Sequence, residues 1–262
     1  MFTDTGAVNR LFRLTAGFVL AACAVSVAGY FYFMGFSPDR DKYPVRGIDV
    51  SNHQGAIDWP RVAADDVAFA VIKATEGGDF VDRSFARNLA GARSAGIAVG
   101  AYHFFTFCRP GADQAQNFIA TVPRDGPLLP PVVDIEFGGN CTDRPSIEKF
   151  EAELKAFLDP VEAAFGKRAI VYIIGDALET YGTAVAGRQR WVRSLAMHPG
   201  HDDWIYWQYH NKGRVDGIEG PVDLNVLQGE LAAFAGPTAA VSQSLNPRMA
   251  GLSARERSRT SQ

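Results

Sequence analysis

Two acidic residues, Asp134 and Glu136, end a short apolar segment with the sequence PPVVDIE. If this segment is a β-strand, residues two positions apart project on the same side, with Cα atoms roughly 6.5–7 Å apart. Repulsion between the two carboxylates, together with partial burial, is expected to raise the pKa of one of them. A pair in which one carboxyl keeps its proton while the other is ionised suits the cleavage of glycosidic bonds. The alternative is a solvated strand end whose two acids have no catalytic role.

Two further acids occupy corresponding places at the two ends of the folded region. Asp49 ends the first strand-like segment, and Asp223 lies in the last one. In a closed barrel the first and last strands are neighbours, so both acids would face the same opening as Asp134 and Glu136. Four acids at one opening, without an excess of histidine or cysteine, favour carbohydrate chemistry. We therefore expect neither a metal ion nor a cofactor, with a hard-cation site as the alternative.

Aromatic residues end several of the other strand-like segments. A single aromatic residue at such a position is more often part of the core than of a binding site. Several of them around a group of acids predict a cleft in which sugar rings stack. The residues concerned are Tyr102, Phe104, Tyr172, Trp207 and Tyr209.

Eight apolar segments have the length and composition of β-strands, and helical patterns separate the earlier ones. Strands that alternate with helices predict a parallel sheet, and eight of them in about 190 residues predict a closed β/α barrel. The alternative is an open doubly wound sheet, which would normally carry a glycine-rich loop after its first strand; the sequence GIDVS is not such a loop. The predicted strands are Arg46–Val50, Phe69–Ala74, Ala98–Phe104, Pro131–Glu136, Ala169–Ile174, Arg190–Leu195, Trp204–Tyr209 and Val222–Val226.

Three helices are predicted between these strands. Ser84–Ala95 stops at a glycine and Ala112–Ala120 stops before a proline, both common helix endings. A third helix begins at Ile147 with Ser146 as its N-cap, and Pro160 is expected to kink or divide it. Helical patterns fade after about residue 183, so the last three strands should follow short loops.

The N-terminal region contains an uncharged apolar run from Leu14 to Phe36, preceded by Arg10 and Arg13. Its length suits one crossing of a hydrocarbon core of about 30 Å, and the positive-inside rule places the preceding residues in the cytoplasm. The first alternative is a signal peptide cleaved after Ala28. The second is a lipoprotein signal with Cys23 as the modified residue. Each of the three would export the rest of the chain.

The chain therefore divides into five parts. We expect a cytoplasmic N-terminus (1–13), a transmembrane signal anchor (14–36), a linker (37–44), one barrel domain (45–234) and a disordered tail (235–262). The 262 residues are 47% hydrophobic and 21% charged, which is typical of globular proteins. A net charge of −3 argues against a nucleic-acid-binding protein.

Two of the three cysteines, Cys108 and Cys141, follow the third and fourth predicted strands. The loops after neighbouring parallel strands emerge at the same end of a barrel, and an exported domain lies in an oxidising compartment. We therefore expect a disulfide between them; the alternative is two free thiols.

Five segments together resemble one known family, glycoside hydrolase family 25, whose members include lysozymes. The resemblance covers about residues 46–228 and implies a TIM-like barrel that is irregular in its last strands. It also implies hydrolysis, without a cofactor, of the β-1,4 bond between N-acetylmuramic acid and N-acetylglucosamine in peptidoglycan. The segments are GIDVSNHQGAIDW, FAVIKATEG, GAYHFF, PPVVDIE and WIYWQYHNKGRVDGIEGPVDLN.

The same resemblance implies roles for individual residues. Glu136 would be the general acid and base, and Asp134 would assist the 2-acetamido group of the substrate. Asp49 and Asp223 would bind substrate or act electrostatically. Whether catalysis is substrate-assisted or proceeds by direct displacement stays open. The residues that would line sugar subsites are Lys73, Glu76, Tyr102, Phe104, Tyr172 and Trp207.

These observations predict a monomeric muramidase that is held on the periplasmic face of a bacterial inner membrane and acts on peptidoglycan glycan strands. Such an anchor suits remodelling of the cell's own wall. Two alternatives remain: a catalytically silent, glycan-binding scaffold, and another barrel glycosidase such as a chitinase-like enzyme. Loss of one of the four acids would favour the scaffold, and a longer acidic strand motif would favour the chitinase-like enzyme.

Overall fold

The computed structural model describes residues 5–126, 128–139 and 141–235, and a closed barrel of eight strands forms the centre of this part of the chain. All eight predicted strands are confirmed: two have the predicted ends, and the ends of the others shift by at most four residues. A short additional strand, β3, forms a hairpin with β2 outside the barrel. The strands are β1 (Arg46–Val50), β2 (Phe69–Glu76), β3 (Phe80–Val81), β4 (Ala98–Phe104), β5 (Val132–Ile135), β6 (Ile170–Ile173), β7 (Arg190–Arg193), β8 (Tyr206–Gly213) and β9 (Val222–Leu227).

The barrel is a mixed sheet, which corrects the expectation of parallel strands throughout. Neighbouring barrel strands from β1 to β8 are parallel, whereas β9 is antiparallel to both β8 and β1. The loop of eight residues between β8 and β9 explains this direction, because such a loop can join antiparallel strands but is too short for a parallel crossover. The amino-terminal end of β9 therefore lies beside the carboxyl-terminal end of β1.

The three helices predicted between strands are present, and three short helices, after β1, β6 and β9, were not predicted. Pro160 lies inside one continuous helix, so the expectation that it divides the helix is wrong. Ser146 caps that helix, because its hydroxyl accepts a hydrogen bond from the Lys149 amide. No helix separates β7, β8 and β9, as predicted. The helices are α1 (Thr5–Gly35), α2 (Trp59–Ala64), α3 (Phe85–Ser94), α4 (Gly111–Thr121), α5 (Ile147–Phe165), α6 (Gly175–Tyr181) and α7 (Ala232–Ala235).

Buried side chains form two layers, one inside the barrel and one between the strands and the outer helices. The strand period of two produces both layers, because alternate residues point inward and outward. The rings of Phe69 and Tyr206 stack in the interior with centroids 5.1 Å apart, which fills the barrel with side chains. The carboxyl-terminal ends of β1 to β8 are left as the open mouth.

The N-terminal helix α1 contains one stretch, Phe12–Gly35, that is long and apolar enough to cross a membrane. This stretch is exposed in the structure, which holds no membrane. The predicted linker packs against the barrel: Tyr43 is 4% exposed and contacts Trp204, with ring centroids 5.5 Å apart. The predicted disordered tail lies, from residue 236 onward, outside the described residues.

A disulfide joins Cys108 and Cys141, with Cα atoms 5.8 Å apart, as predicted. It connects the loop after β4 to the loop after β5, and both loops border the mouth. The loop that the bond closes spans 33 positions of sequence.

We expect the double substitution of Cys108 and Cys141 by serine to lower the free energy of unfolding by about 3–4 kcal/mol, because the unfolded chain gains loop entropy. Denaturant unfolding of the protein in detergent measures the change. The matched control is Cys23→Ser, which removes an exposed free thiol and should have no effect. Equal stability of the double variant and the control would contradict the prediction.

Candidate active site

The structure brings the four predicted acids together at the mouth of the barrel. Asp49 lies near the end of β1, Asp134 lies in β5, and Glu136 follows β5 directly. Asp223 is paired in register with Asp49 across the β1–β9 ladder. Asp223 stands near the start of its strand and reaches the mouth only because β9 is antiparallel.

Asp49 is held in a hydrogen-bonded network of buried side chains. One of its carboxylate oxygens, Oδ2, accepts hydrogen bonds from Asn225 Nδ2 at 2.7 Å and from Gln208 Nε2 at 3.1 Å. The indole of Trp191 donates to Asn225, and the hydroxyl of Tyr172 donates to Gln208, each at 2.9 Å. Asp49 therefore has a fixed orientation, since both of its donors are themselves held.

Burial raises the pKa values of the two acids on the closing strands, and the charge of Asp223 raises that of Asp49 further. The pKa of Asp49 lies well above its usual range because the side chain is buried and Asp223 is close, although the two amide donors oppose the shift. Burial also raises the pKa of Asp223 to about 6, while Arg193 acts in the opposite direction. The closing strands therefore carry carboxyls that are costly to ionise.

Asp134 and Glu136 form a coupled pair. Burial raises the pKa of both carboxyls, and the charge of Glu136 raises the pKa of Asp134 further. A hydrogen bond between the two side chains lowers the pKa of Glu136, as do the charges of Arg193 and Lys73. Asp134 is 8% exposed, whereas Glu136 is only partly buried. The pair can therefore share one proton, and Glu136 is the member that a ligand can reach.

Two cations lie beside the acids. Lys73, on β2, forms an ion pair with Glu76 at 2.7 Å, and its ammonium lies 4.9 Å from the centre of the Phe104 ring. Arg193 ends β7, and its charge acts on both Glu136 and Asp223. The mouth therefore combines acids, two cations and an aromatic wall, which suits a polar ligand with apolar ring faces.

Most of the predicted sugar-binding residues lie at this mouth. Tyr102 lies on the inner side of β4 and Tyr172 on the inner side of β6, where the charges of Asp134 and Asp49 reach both phenols. Together with burial, these charges raise the pKa values of both tyrosines. Phe104 lies against Lys73, as described above.

Trp207 is an exception, and its predicted place in the cleft is wrong. It is 1% exposed and points outward from β8, where it packs against Tyr43 and Trp204 at centroid distances of 5.7 and 5.8 Å. Tyr209, two positions later, lies in the same outer layer. The neighbouring residue, Gln208, is the one that points into the barrel. The prediction therefore chose a residue one position away, and adjacent residues of a strand point to opposite faces.

Three residues that contact or act on the four acids were missed by sequence reasoning: Gln208, Asn225 and Arg193. The period of two along their strands could have identified them, because Asn225 follows Asp223 and Arg193 follows Trp191 by two positions. Their polar side chains at inward positions were the available signal.

The sequence profile of glycosyl hydrolases family 25 matches residues 48–218, which extend from β1 through β8 and end shortly before β9. The chain belongs to this family. It is therefore a glycoside hydrolase, and the mouth with its four acids is its candidate active site.

Two relatives and one solved structure are similar to this chain over most of its length. The protein YegX of Escherichia coli strain K12 is 36% identical over 85% of this chain and 87% of its own length. Lysozyme M1 of Streptomyces globisporus is 33% identical over 76% of this chain and 75% of its own length. A solved family 25 glycosyl hydrolase from Bacillus anthracis is 38% identical, with a TM-score of 0.69, and the match covers 75% of this chain and 94% of that one.

We expect Asp223→Asn to stabilise the protein at neutral pH. An unfolded aspartate ionises near pH 3.9, whereas Asp223 in the folded protein ionises near 6, so folding loses stability as the pH rises between these values. The asparagine side chain does not ionise, so the variant avoids this loss of stability. It also removes the negative charge that repels the Asp49 carboxylate. The melting temperature at pH 7 should rise by about 2–4 °C per kcal/mol relieved, with little change at pH 3.5.

Thermal unfolding of the protein in detergent at the two pH values measures this effect. The matched control is Asp176→Asn, which changes an exposed residue of α6. At each pH we expect this variant to have the same melting temperature as the wild type. An equal rise for Asp223→Asn at pH 3.5 and pH 7 would contradict the electrostatic explanation.

Proposed function

We propose that this family 25 glycoside hydrolase is a muramidase that cleaves the β-1,4 bond between N-acetylmuramic acid and N-acetylglucosamine in peptidoglycan. The observation that carries the proposal is the coupled pair at the mouth, in which Glu136 is reachable and Asp134 is buried beside it. The relative from Streptomyces globisporus is named a lysozyme, which supports the same activity.

Glu136 is the proposed general acid and base. Burial raises its pKa, so the side chain holds a proton more readily than a solvated glutamate and can donate it to the leaving glycosidic oxygen. After the bond breaks, the Glu136 carboxylate can accept a proton from the attacking water. Arg193 and Lys73 then stabilise this ionised form.

Asp134 is proposed to assist the 2-acetamido group of the substrate. Asp134 is buried beside Glu136, and the negative charge of Glu136 raises its pKa further. A carboxyl that is costly to ionise is a poor covalent nucleophile, but it can still accept a hydrogen bond. We therefore favour attack on the anomeric carbon by the acetamido oxygen, with Asp134 orienting the acetamido N–H, over direct displacement by Asp134.

The remaining mouth residues are proposed to hold the glycan. Asp49, which its two amide donors hold in place, and Asp223 offer hydrogen-bond acceptors. When ionised, they supply a negative field for the positive charge that develops on the sugar ring in the transition state. Tyr102, Tyr172 and Phe104 offer ring faces, while Lys73 and Glu76 offer polar contacts. Trp207 is not included because it faces away from the mouth.

We propose that α1 anchors the enzyme in the inner membrane, with the barrel in the periplasm. The apolar stretch Phe12–Gly35 has 24 residues, which suits a membrane crossing, whereas the apolar core of a cleaved signal is about 7–15 residues long. Cleavage after Ala28 and lipid modification at Cys23 are the alternatives. The proposed partners are peptidoglycan glycan strands and the membrane itself.

Glu136→Gln should lower the rate of glycan hydrolysis by about 10²–10⁴-fold, because the amide keeps the shape of the side chain but cannot donate the proton. Release of reducing ends from purified peptidoglycan measures the rate, and mass analysis of the fragments identifies the cleaved bond. The control is Glu151→Gln, an exposed residue of α5 whose substitution should leave the rate unchanged. Half of the wild-type rate in the Glu136 variant would refute its role.

The full-length protein should fractionate with inner membranes, because α1 is long and apolar enough to stay in the bilayer. Fractionation followed by N-terminal analysis of the mature protein tests this. A soluble periplasmic form that begins near Gly29 would show a cleaved signal, and a lipid on Cys23 would show a lipoprotein.

A further inference from the structure

The carboxyl-terminal end of α1 contacts the barrel at the level of its mouth. The hydroxyl of Tyr32 donates a hydrogen bond to the Ala196 carbonyl at 3.1 Å, and the ring of Phe33 lies 4.7 Å from the imidazole of His210, centroid to centroid. Ala196 follows β7, and its amide donates to the Tyr209 carbonyl at 3.0 Å. Both contacts therefore lie on the carboxyl-terminal side of the strands.

Strand register places these contacts beside the acids. His210 is paired with Leu224, and the residue before Leu224, Asp223, is paired with Asp49. The helix end thus touches the outer wall of the barrel at the same height as the catalytic layer. We call this contact, formed by Tyr32, Phe33, Ala196 and His210, the rim contact.

From the rim contact the chain runs down the outer wall of β8 toward the base. The ring of Phe36 lies 6.2 Å from that of Trp207, and Tyr43 contacts Trp204 near the start of β8. The chain then enters β1 at Arg46, at the amino-terminal end of that strand. If the eight linker residues were free they could reach about 26–29 Å, but packing of the linker on the wall removes this freedom.

The preceding residues of α1 turn away from the barrel. Every residue from Gly17 to Phe31 is exposed, so this part of the helix does not lie along the barrel wall. Aromatic residues at the end of a transmembrane helix lie at the level of the lipid headgroups. Because Tyr32 and Phe33 belong to that aromatic end, the rim residues that they touch must lie at the headgroup level too.

We propose that the rim contact holds the active-site mouth against the membrane surface, so that the enzyme acts on membrane-proximal, uncross-linked glycan strands that are still attached to lipid. This proposal rests on the muramidase function and membrane anchor proposed above. The chemistry of the cleaved bond is the same in distant layers of the wall. What selects the substrate is the short distance between the mouth and the bilayer.

A depth measurement tests the orientation without using activity. In a Cys23→Ser background, a thiol-reactive fluorophore is placed at Met197→Cys, next to the rim contact, or at Arg168→Cys, an exposed residue just before β6 at the base. Cys108 and Cys141 do not react, because they are disulfide-bonded. Each protein is inserted into nanodiscs that contain headgroup-labelled quencher lipid.

We expect strong quenching at position 197 and weak quenching at position 168. Equal quenching at the two positions, or stronger quenching at the base, would overturn the proposal.

An activity measurement tests the substrate preference. The double variant Tyr32→Phe/Phe33→Ala removes the rim contact, while Tyr30→Phe/Phe31→Ala makes the same chemical changes at exposed positions of the same helix. Both are compared with the wild type on lipid-linked, uncross-linked glycan in the same nanodisc and on soluble glycan fragments. Holding the mouth at the membrane raises the effective concentration of lipid-linked strands.

The rim variant should lose about tenfold of the rate on lipid-linked glycan, the gain expected from local concentration, and keep its rate on soluble fragments. The control variant should keep both rates. Equal rates on lipid-linked glycan in the two variants would overturn the proposal. A wild type inactive on both lipid-linked glycan and soluble fragments would instead refute the muramidase function, and the depth measurement would still decide the orientation.

Discussion

The antiparallel pairing of β9 with β1 is the constraint on which the candidate site depends. It closes the barrel, and it also brings an acid from the beginning of one strand beside an acid from the end of another. If β9 ran parallel to β1, Asp223 would lie at the base, far from Glu136. The same strand supplies Asn225, which holds Asp49. Closure of the sheet and assembly of the acidic mouth are therefore the result of one strand direction.

This assembly has an energetic cost, which the fold partly offsets. Four carboxyls with raised pKa values would repel one another strongly if all were ionised, and burial removes the water that would screen them. The amide donors of Gln208 and Asn225 and the charges of Lys73 and Arg193 oppose this. What remains is a site in which burial still raises the pKa of each acid, so that its carboxyls hold a proton more readily than solvated ones, as proton donation requires. The electrostatic cost of the mouth and its capacity for proton transfer therefore have the same origin, the burial of several carboxyls close together.

Much of the fold follows from local sequence signals. Strand alternation, helix caps and glycine stops act over a few residues, so all eight barrel strands and the main helices could be predicted. The direction of β9 could not be read in this way, because it depends on a long-range pairing. The face of Trp207 was mistaken for a related reason: aromatic residues occur at successive odd and even positions of β8, so composition alone does not indicate which side points inward. The four acids were found because carboxylates at strand ends are rare and adjacent to apolar runs, whereas Gln208 and Asn225 resemble ordinary polar residues.

The linker shows how a polar segment can carry structural information that its composition hides. Ser37–Pro44 has the charges and prolines of a flexible tether, yet Tyr43 is buried between Trp204 and Trp207. Trp207 faces outward because alternation along the strand turns Gln208 inward, and it gives the returning chain an apolar surface to pack on. The residue that was expected to bind sugar therefore helps to pack the linker, and with it the end of α1, onto the outer wall of the barrel. This packing fixes the height of the mouth relative to the end of α1 and so, with the membrane anchor proposed above, relative to the bilayer.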